Sequence, residues 1–401
     1  MSDFMNAAKT GINSASASLA TRSNNIANAG SIGFKSERAS FEAVYAGESK
    51  SSPGMGSRLS SIERDFGNGA YETTGKSTHL AIVGQGFFAV ANPLTGAVEF
   101  TPNGQFDVDL AGYLVDKNGY QVQGYPYPET SGNTVPLQLD KSPMAPQVTA
   151  NGTISVNLGS VPSQPTLTTS LTVYDSRGES HVLGALFSNE QPDTPVVGQT
   201  TWTMNFDLAG TAVNPADTYE AVFNPDGTLA DILVNGAATV PAGHLPLDLS
   251  TALGAYGVTT VDLDMSASTA YANDISVRDV ASDGNAAGEF TTFTIENDGL
   301  MTAFFDNGEK RVVGQVALAT FAAQHELSTT NRGNFSQTND SGEAIFKVSG
   351  GSSMILSETL EMSNVDVAEQ MVGLITDQRN YQSAAQVLSV GKQVSQTLNN
   401  L

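Results

Sequence analysis

Both ends of this chain carry the apolar spacing of long amphipathic helices, and nearly everything between them carries the pattern of β-structure. At the front, Met5, Ile12, Leu19 and Ile26 recur every seventh residue, with Ala8 and Ala15 between them. At the back, Val367, Met371, Leu374, Gln378, Tyr381, Ala385 and Leu388 step by four and three. The stripe then slides onto Val387, Gly391, Val394, Leu398 and Leu401. A helical period of about 3.6 residues against a seam of about 3.5 produces such a drift. Terminal helices with no helical domain between them must pack on each other or on copies of themselves. The expected fold is mainly β domains with long helical N- and C-terminal segments, nested and discontinuous, the termini forming a coiled-coil-like pair. Such a chain is built to polymerise.

A length of 401 residues supports two or three domains, and 40% apolar residues are enough for real cores. No run approaches the roughly 20 apolar residues that span a bilayer, so membrane insertion is not expected. Without cysteine, neither disulfides nor thiolate metal sites contribute. Met1 to Ala20 lacks the charged and apolar regions of a Sec-type signal peptide, which taken alone points to the cytoplasm. Charge is uneven. Residues 1–70 hold seven Lys/Arg against six Asp/Glu, whereas Ser142 to Glu309 contains no lysine and only Arg177 and Arg278 among many acids. That acidic middle repels polyanions and excludes nucleic-acid binding; it reads as a solvated face.

Five zones follow. Residues 1–28 form the first helix, weakened after Ser18 by Ser23, Asn24 and Asn25. Residues 29–70, rich in Gly and Ser, read with 358–364 as an extended connector that supplies hinges. Segments 71–145 and 285–357 read as one discontinuous β domain, with 146–284 inserted as an outer β domain. The last helix, 365–401, begins near Asn364 or Asp366 as cap, with Glu369 placed for a capping box. Helices this rich in Ser, Asn and Gly are marginal alone, so both termini are expected to be largely disordered until assembly; a stable intramolecular pair is the alternative.

No motif supports catalysis. Gly84-Gln85-Gly86-Phe87-Phe88-Ala89 matches a loose dinucleotide pattern, but a strand rather than a helix follows the glycines. Asp107-Val108-Asp109 starts like a calcium loop, but Ala111 and Asn118 stand where ligands are needed, so a hairpin is expected. His79, His181, His244 and His325 are scattered without partners at metal-ligand spacing. His181 beside Glu179 and Asp175 reads as a turn-flanking histidine, because Asp175-Ser176-Arg177-Gly178 is a tight turn, like Asn224-Pro225-Asp226-Gly227. No catalytic, cofactor or metal residue is assigned.

Asn24-Asn25-Ile26-Ala27-Asn28 followed by Gly33-Phe34-Lys35 resembles the N-terminal signature of the bacterial flagellar rod and hook axial proteins. Leu360-Glu361-Met362-Ser363-Asn364-Val365-Asp366, then Gln378-Arg379-Asn380-Tyr381-Gln382, resembles their C-terminal signature. Within the family the hook members are most similar, because the distal rod member lacks a large insert. Three features depart from the pattern: His79 where Asp is usual, Val367 and Gln370 where Leu and Glu are usual, and Glu358-Thr359 where a glycine is common.

The resemblance implies a structural subunit that stacks into a short, curved, hollow tube, a universal joint carrying torque from rod to filament around an export channel. It implies a location at the hook and basal body, outside the cell, after type III export without a cleaved signal. Implied partners are further copies, the distal rod protein, the hook cap, the hook–filament junction protein, the length-control protein and the export apparatus. Two rivals are a rod-type axial subunit and a secreted β-rich adhesin with trimerising helices. Met5, Ile12, Leu19, Ile26, Val367, Met371, Leu374, Tyr381, Leu388, Val394 and Leu398 are the expected assembly seam.

Overall fold

The computed structural model describes residues 2–45, 54–128, 132–159, 166–189, 199–239, 241–253, 260–330, 332–351 and 353–399. The N-terminal helix runs Ser2–Ala27 and the C-terminal helix Val367–Asn399. They lie antiparallel: Arg22 reaches Asp377, Asn25 reaches Gln370, and a Cβ on Gly11 would sit 3.6 Å from that of Ala384. Each terminus therefore finds its packing partner in the other, where ordering only on assembly was expected. The shared seam supplies what an isolated helix of this composition lacks. Asp366 is the cap of the second helix, its Oδ1 accepting the N–H groups of Ala368 and Glu369 at 2.8 and 3.1 Å.

The segment read as a loose connector contains a long β-hairpin, Glu37–Tyr45 paired antiparallel with Gly54–Arg64. Its register sets Glu37 opposite Arg64, Arg38 opposite Glu63 and Glu42 opposite Arg58, so opposite charges mirror each other across the strands. The hairpin also packs along the N-terminal helix, where Ser57 Oγ lies 3.0 Å from Ser14 Oγ. These pairings outweigh the low β-propensity of its Gly and Ser residues.

The chain divides into two compact units, one of Met1–Asp140, Thr292–Ala303 and Lys310–Leu401, the other of Lys141–Thr291 and Phe304–Glu309. In the first, strands run in the order Lys310–Val316, Gln121–Pro126, Phe87–Ala91, Val98–Thr101, Phe335–Ser336. Phe87, Phe100, Phe321 and Phe335 close its core, with rings edge-to-face at 4.8–5.9 Å. The dinucleotide-like glycines lead directly into the buried strand Phe87–Ala91, and the calcium-like segment is the hairpin joining Asp107–Val108 to Leu114–Val115.

In the second unit a seven-stranded antiparallel sheet shares one core with a four-stranded sheet ordered His244–Asp248, Thr260–Asp264, Asn151–Asn157, Ser276–Ser282. Trp202, the protein's single tryptophan, is fully buried there among Val173, Leu183, Phe223 and Leu263. Both tight turns form, joining Thr166–Tyr174 to Ser180–Ser188 and Tyr219–Phe223 to Leu229–Val234.

Turn-capping aspartates hold this unit's loops, and five are held below the usual carboxylate range. For Asp226, Asp248 and Asp264 the cause is hydrogen bonding from Thr228, Ser250 and Ser266. For Asp175 and Asp283 burial pushes upward, but N–H donors of Glu179 and Arg177, and of Asn151 and Ala150, outweigh it. A depressed folded-state pKa contributes stability that is full above the unfolded value, about 3.9, and is lost as pH falls through the folded value. The second unit is therefore expected to lose stability progressively below about pH 4. Denaturant midpoints followed by Trp202 fluorescence between about pH 6 and pH 2 check this, and a flat profile contradicts it.

Candidate assembly site

The structure brings the two ends of the chain together at a polar junction built largely from the signature residues. Asn25, fully buried, closes the N-terminal helix onto the hairpin: its Nδ2 donates to Glu37 O at 2.7 Å and its Oδ1 accepts from Glu37 N at 2.9 Å. The same amide donates to Gln370 Oε1 on the C-terminal helix at 3.2 Å. Asn28 Nδ2 turns back onto Asn24 O and Oδ1, both at 3.0 Å, and Asn24 Nδ2 donates to Glu37 Oε2. Asn364 does the matching work from the other end. Its Oδ1 accepts from Ser36 N at 2.7 Å, and its Nδ2 donates to Asp65 O and Gly67 O.

At the centre lies a buried ion pair. Lys35 Nζ donates to Glu361 Oε1 at 2.8 Å and to Gly67 O at 3.1 Å, with side chains 5% and 2% exposed. Glu361 Oε1 also accepts from Gly69 N at 2.7 Å, and the Glu361 main-chain carbonyl accepts from Gly33 N at 2.8 Å. Burial first, and the Glu361 charge second, push the Tyr71 phenol up. Gly33 adopts φ +68°, and a Cβ there would lie 2.9 Å from Asn103 N, so only glycine fits.

Beyond the junction the helix pair is held by small and polar groups. Arg22 Nε donates to Asp377 Oδ2 at 2.7 Å, and a Cβ on Gly373 would collide with the Arg22 guanidinium. The residues that are not exposed along the C-terminal helix are Gln370, Gly373, Leu374, Asp377, Ala384, Ala385, Leu388, Gly391 and Ser395. The apolar stripe read from the sequence is thus displaced from the contact stripe. Leu374 and Leu388 are half-buried, but Val367, Met371, Tyr381 and Val394 are 40, 54, 41 and 47% exposed. The reason is size. The N-terminal helix offers Gly, Ala and Ser at close approach, so small residues face it and the larger apolar ones are left on the other side.

On the N-terminal helix Met5, Ile12, Leu19 and Ile26 are half-buried, while Ala8 and Ala15 are buried. Leu401 and the side chain of Leu398 lie outside the described residues.

Asparagine and charge partners drawn from both termini thus meet at the base of a helix pair. Residues 138–285 match the family described as the flagellar basal body protein FlaE D2 domain, and 81–156 the flagellar hook protein FlgE/F/G D1 domain. Residues 356–401 match the flagellar basal body rod FlgEFG protein C-terminal family. The flagellar hook protein FlgE of Salmonella typhimurium is 30% identical over 422 residues, with 98% of each chain covered. The chain belongs to the flagellar hook protein family. The Escherichia coli (strain K12) hook protein FlgE is 29% identical over 426 residues, again covering 98% of each. The crystal structure of Helicobacter pylori flagellar hook protein FlgE2 shares the fold, with a TM-score of 0.55 at 14% identity. The match covers 73% of this chain and all of that one.

The signature residues read from the sequence divide in space. Asn24, Asn25, Asn28, Gly33, Phe34, Lys35, Ser363, Asn364, Val365 and Asp366 gather at or beside the junction. Ala27 is exposed beside them, and Gln378, Arg379 and Gln382 are exposed on the C-terminal helix. Local sequence held no sign of the partners Asp65, Gly67, Gly69 and Asp377, which lie 32 to 355 residues from the groups they bond. Glu358 adopts φ +54°, and its carbonyl accepts from Thr74 N at 2.7 Å. That left-handed conformation favours glycine.

Glu361→Gln leaves the Lys35 ammonium buried without a counter-charge and is expected to cost about 3–5 kcal/mol. Adding Lys35→Met should recover part of that loss, measured by urea denaturation followed by far-ultraviolet circular dichroism. Glu358→Gly should stabilise by about 0.5–1 kcal/mol, left-handed strain removed minus the added chain entropy.

Proposed function

We propose that the chain is the structural subunit of a bacterial flagellar hook and has no enzymatic role. In this reading it polymerises into a short curved tube that encloses an export channel and passes torque from rod to filament. It reaches the cell exterior through the flagellar type III apparatus. Its neighbours are further copies along the tube, the distal rod protein at one end and the hook–filament junction protein at the other, with cap and length-control proteins acting during growth.

The observation that carries the reading is the second apolar face of the C-terminal helix. With its small-residue face against the N-terminal helix, it leaves Val372, Ile375 and Val390 at 68, 50 and 53% exposure, alongside Met371 and Val394. A helix of 33 residues is about 50 Å long at ~1.5 Å per residue, so the stripe is extended as well as bare. Helices that present two apolar faces bury the second against another copy. The hairpin continues this surface in kind, with Phe41, Leu59 and Ile62 exposed. Of residues 40–65, the described strands 40–45 and 54–64 lie along the N-terminal helix, a place from which they can read a neighbour's position and tune curvature.

The test separates the two faces. Val372→Asp and Ile375→Asp are expected to abolish tubes seen by electron microscopy under polymerising conditions, while leaving the monomer's helix content and urea midpoint unchanged. Leu374→Asp and Leu388→Asp, on the inner seam, should lower helix content as well. Full-length curved tubes from Val372→Asp would sink the proposal, and straight tubes from the unaltered chain would move it to a rod-type role.

A further inference from the structure

We propose that Asp175, Glu179 and His181 form a binding site for a divalent transition metal of the zinc class, with Arg177 as its cover. The site lies in the second unit, at the turn joining strands Thr166–Tyr174 and Ser180–Ser188. It stands independently of the hook assignment.

The turn arranges the Asp175 carboxylate in advance. Asp175 is fully buried, and its Oδ1 accepts the N–H groups of Arg177 and Glu179, both at 2.9 Å. Gly178 closes the turn at φ +79°. Those bonds consume one oxygen and leave the other, Oδ2, aimed at His181. Among the described residues no hydrogen-bond donor reaches Asp175 Oδ2, and His181 Nε2 likewise has no hydrogen-bond partner, although both atoms are enclosed. They face each other at 3.6 Å.

That separation is too long for a hydrogen bond. It fits two ligands of one ion: bonds of about 2.1 Å at tetrahedral angles put neighbouring donor atoms about 3.4 Å apart. Ligand atoms of Asp175, Glu179 and His181 all lie within 4.8 Å of one another, so Glu179 supplies a third ligand from the solvent side. One imidazole and two carboxylates suit zinc better than calcium or magnesium, which take six or more oxygens.

Arg177 is the competing charge. Its Nε lies 3.9 Å from Asp175 Oδ2 and its terminal nitrogen 3.5 Å from Glu179, with the side chain 57% exposed. Both are ion-pair distances, so the guanidinium competes with a cation for the same carboxylates and lowers its affinity.

Zinc chloride is titrated calorimetrically into the full chain, beside His181→Gln, Glu179→Gln and Arg177→Ala variants, with calcium and magnesium as separate titrants. One equivalent of zinc is expected to bind. His181→Gln should weaken it by more than about a hundredfold, beyond the roughly 10–100-fold that loss of a supporting outer contact costs. Glu179→Gln should weaken it less. Arg177→Ala should tighten it, because a repelling charge is removed. Trp202 fluorescence in urea without metal shows whether each variant remains folded, and zinc should raise the midpoint of the unaltered chain but not of His181→Gln. Equal zinc binding by the unaltered chain and a folded His181→Gln variant overturns the site. So does Arg177→Ala leaving affinity unchanged, or a preference for calcium. Glu179 and Arg177 are solvent-exposed, so their variants keep the test decisive even if His181→Gln fails to fold.

Discussion

A lysine and a glutamate separated by 326 residues hold the molecule's two ends in one place. An ion pair taken out of water gains stability only when its geometry is good and its remaining valences are filled. Here Glu361 also accepts from Gly69 N, and Lys35 also donates to Gly67 O, so the pair is stitched to the hairpin base as well as to itself. Asn25 and Asn364 add amide contacts from opposite ends of the chain, each bridging segments that no local propensity would join. The direction in which both helices leave the β-structure is set at this point. A polymer whose subunits transmit force needs that direction fixed, and polar contacts with defined angles fix it better than apolar ones.

The helix pair follows the same economy of shape. Close approach by Gly11 and Ala384, with Arg22 lying over Gly373 and paired to Asp377, makes the inner seam small and specific rather than greasy. Large apolar residues are thereby released to the outer face, where a neighbouring copy buries them in the polymer we propose. A seam of leucines would have stabilised the lone subunit more and left less to be gained on assembly.

How much of this could be read in advance depended on the range of the interaction. The terminal helices announced themselves through local periodicity, and the Asp366 cap and the tight turns through local side-chain chemistry. Asn25 and Lys35 were recognised only as signature residues; their roles rest on partners distant in sequence. The hairpin was missed because its strands are poor in β-branched residues. Its signal was the mirrored order of charges, Glu37-Arg38 against Glu63-Arg64, which has meaning only once a register is assumed. The apolar stripe of the last helix coincides only in part with the face turned to the N-terminal helix, because small residues fill that contact. His181 beside Asp175 and Glu179 was legible as a turn-flanking histidine; the enclosure of Asp175 Oδ2 and His181 Nε2 was not, because it depends on the packing around the turn.

Charge completes the argument. The chain carries a formal net charge of −23, yet its first 70 residues are nearly neutral, and the long segment from Ser142 to Glu309 has only two basic residues. In the proposed tube the adhesive stripes belong to near-neutral helices, whereas the acidic units repel one another. At physiological ionic strength that repulsion reaches only about 8 Å, so it acts between touching neighbours and hardly further. Attraction along the helices with short-range repulsion between acidic faces sets a spacing without fixing it by apolar contact. Neighbouring acidic units then slide past each other at small cost, which a tube that bends while rotating requires of every subunit in turn.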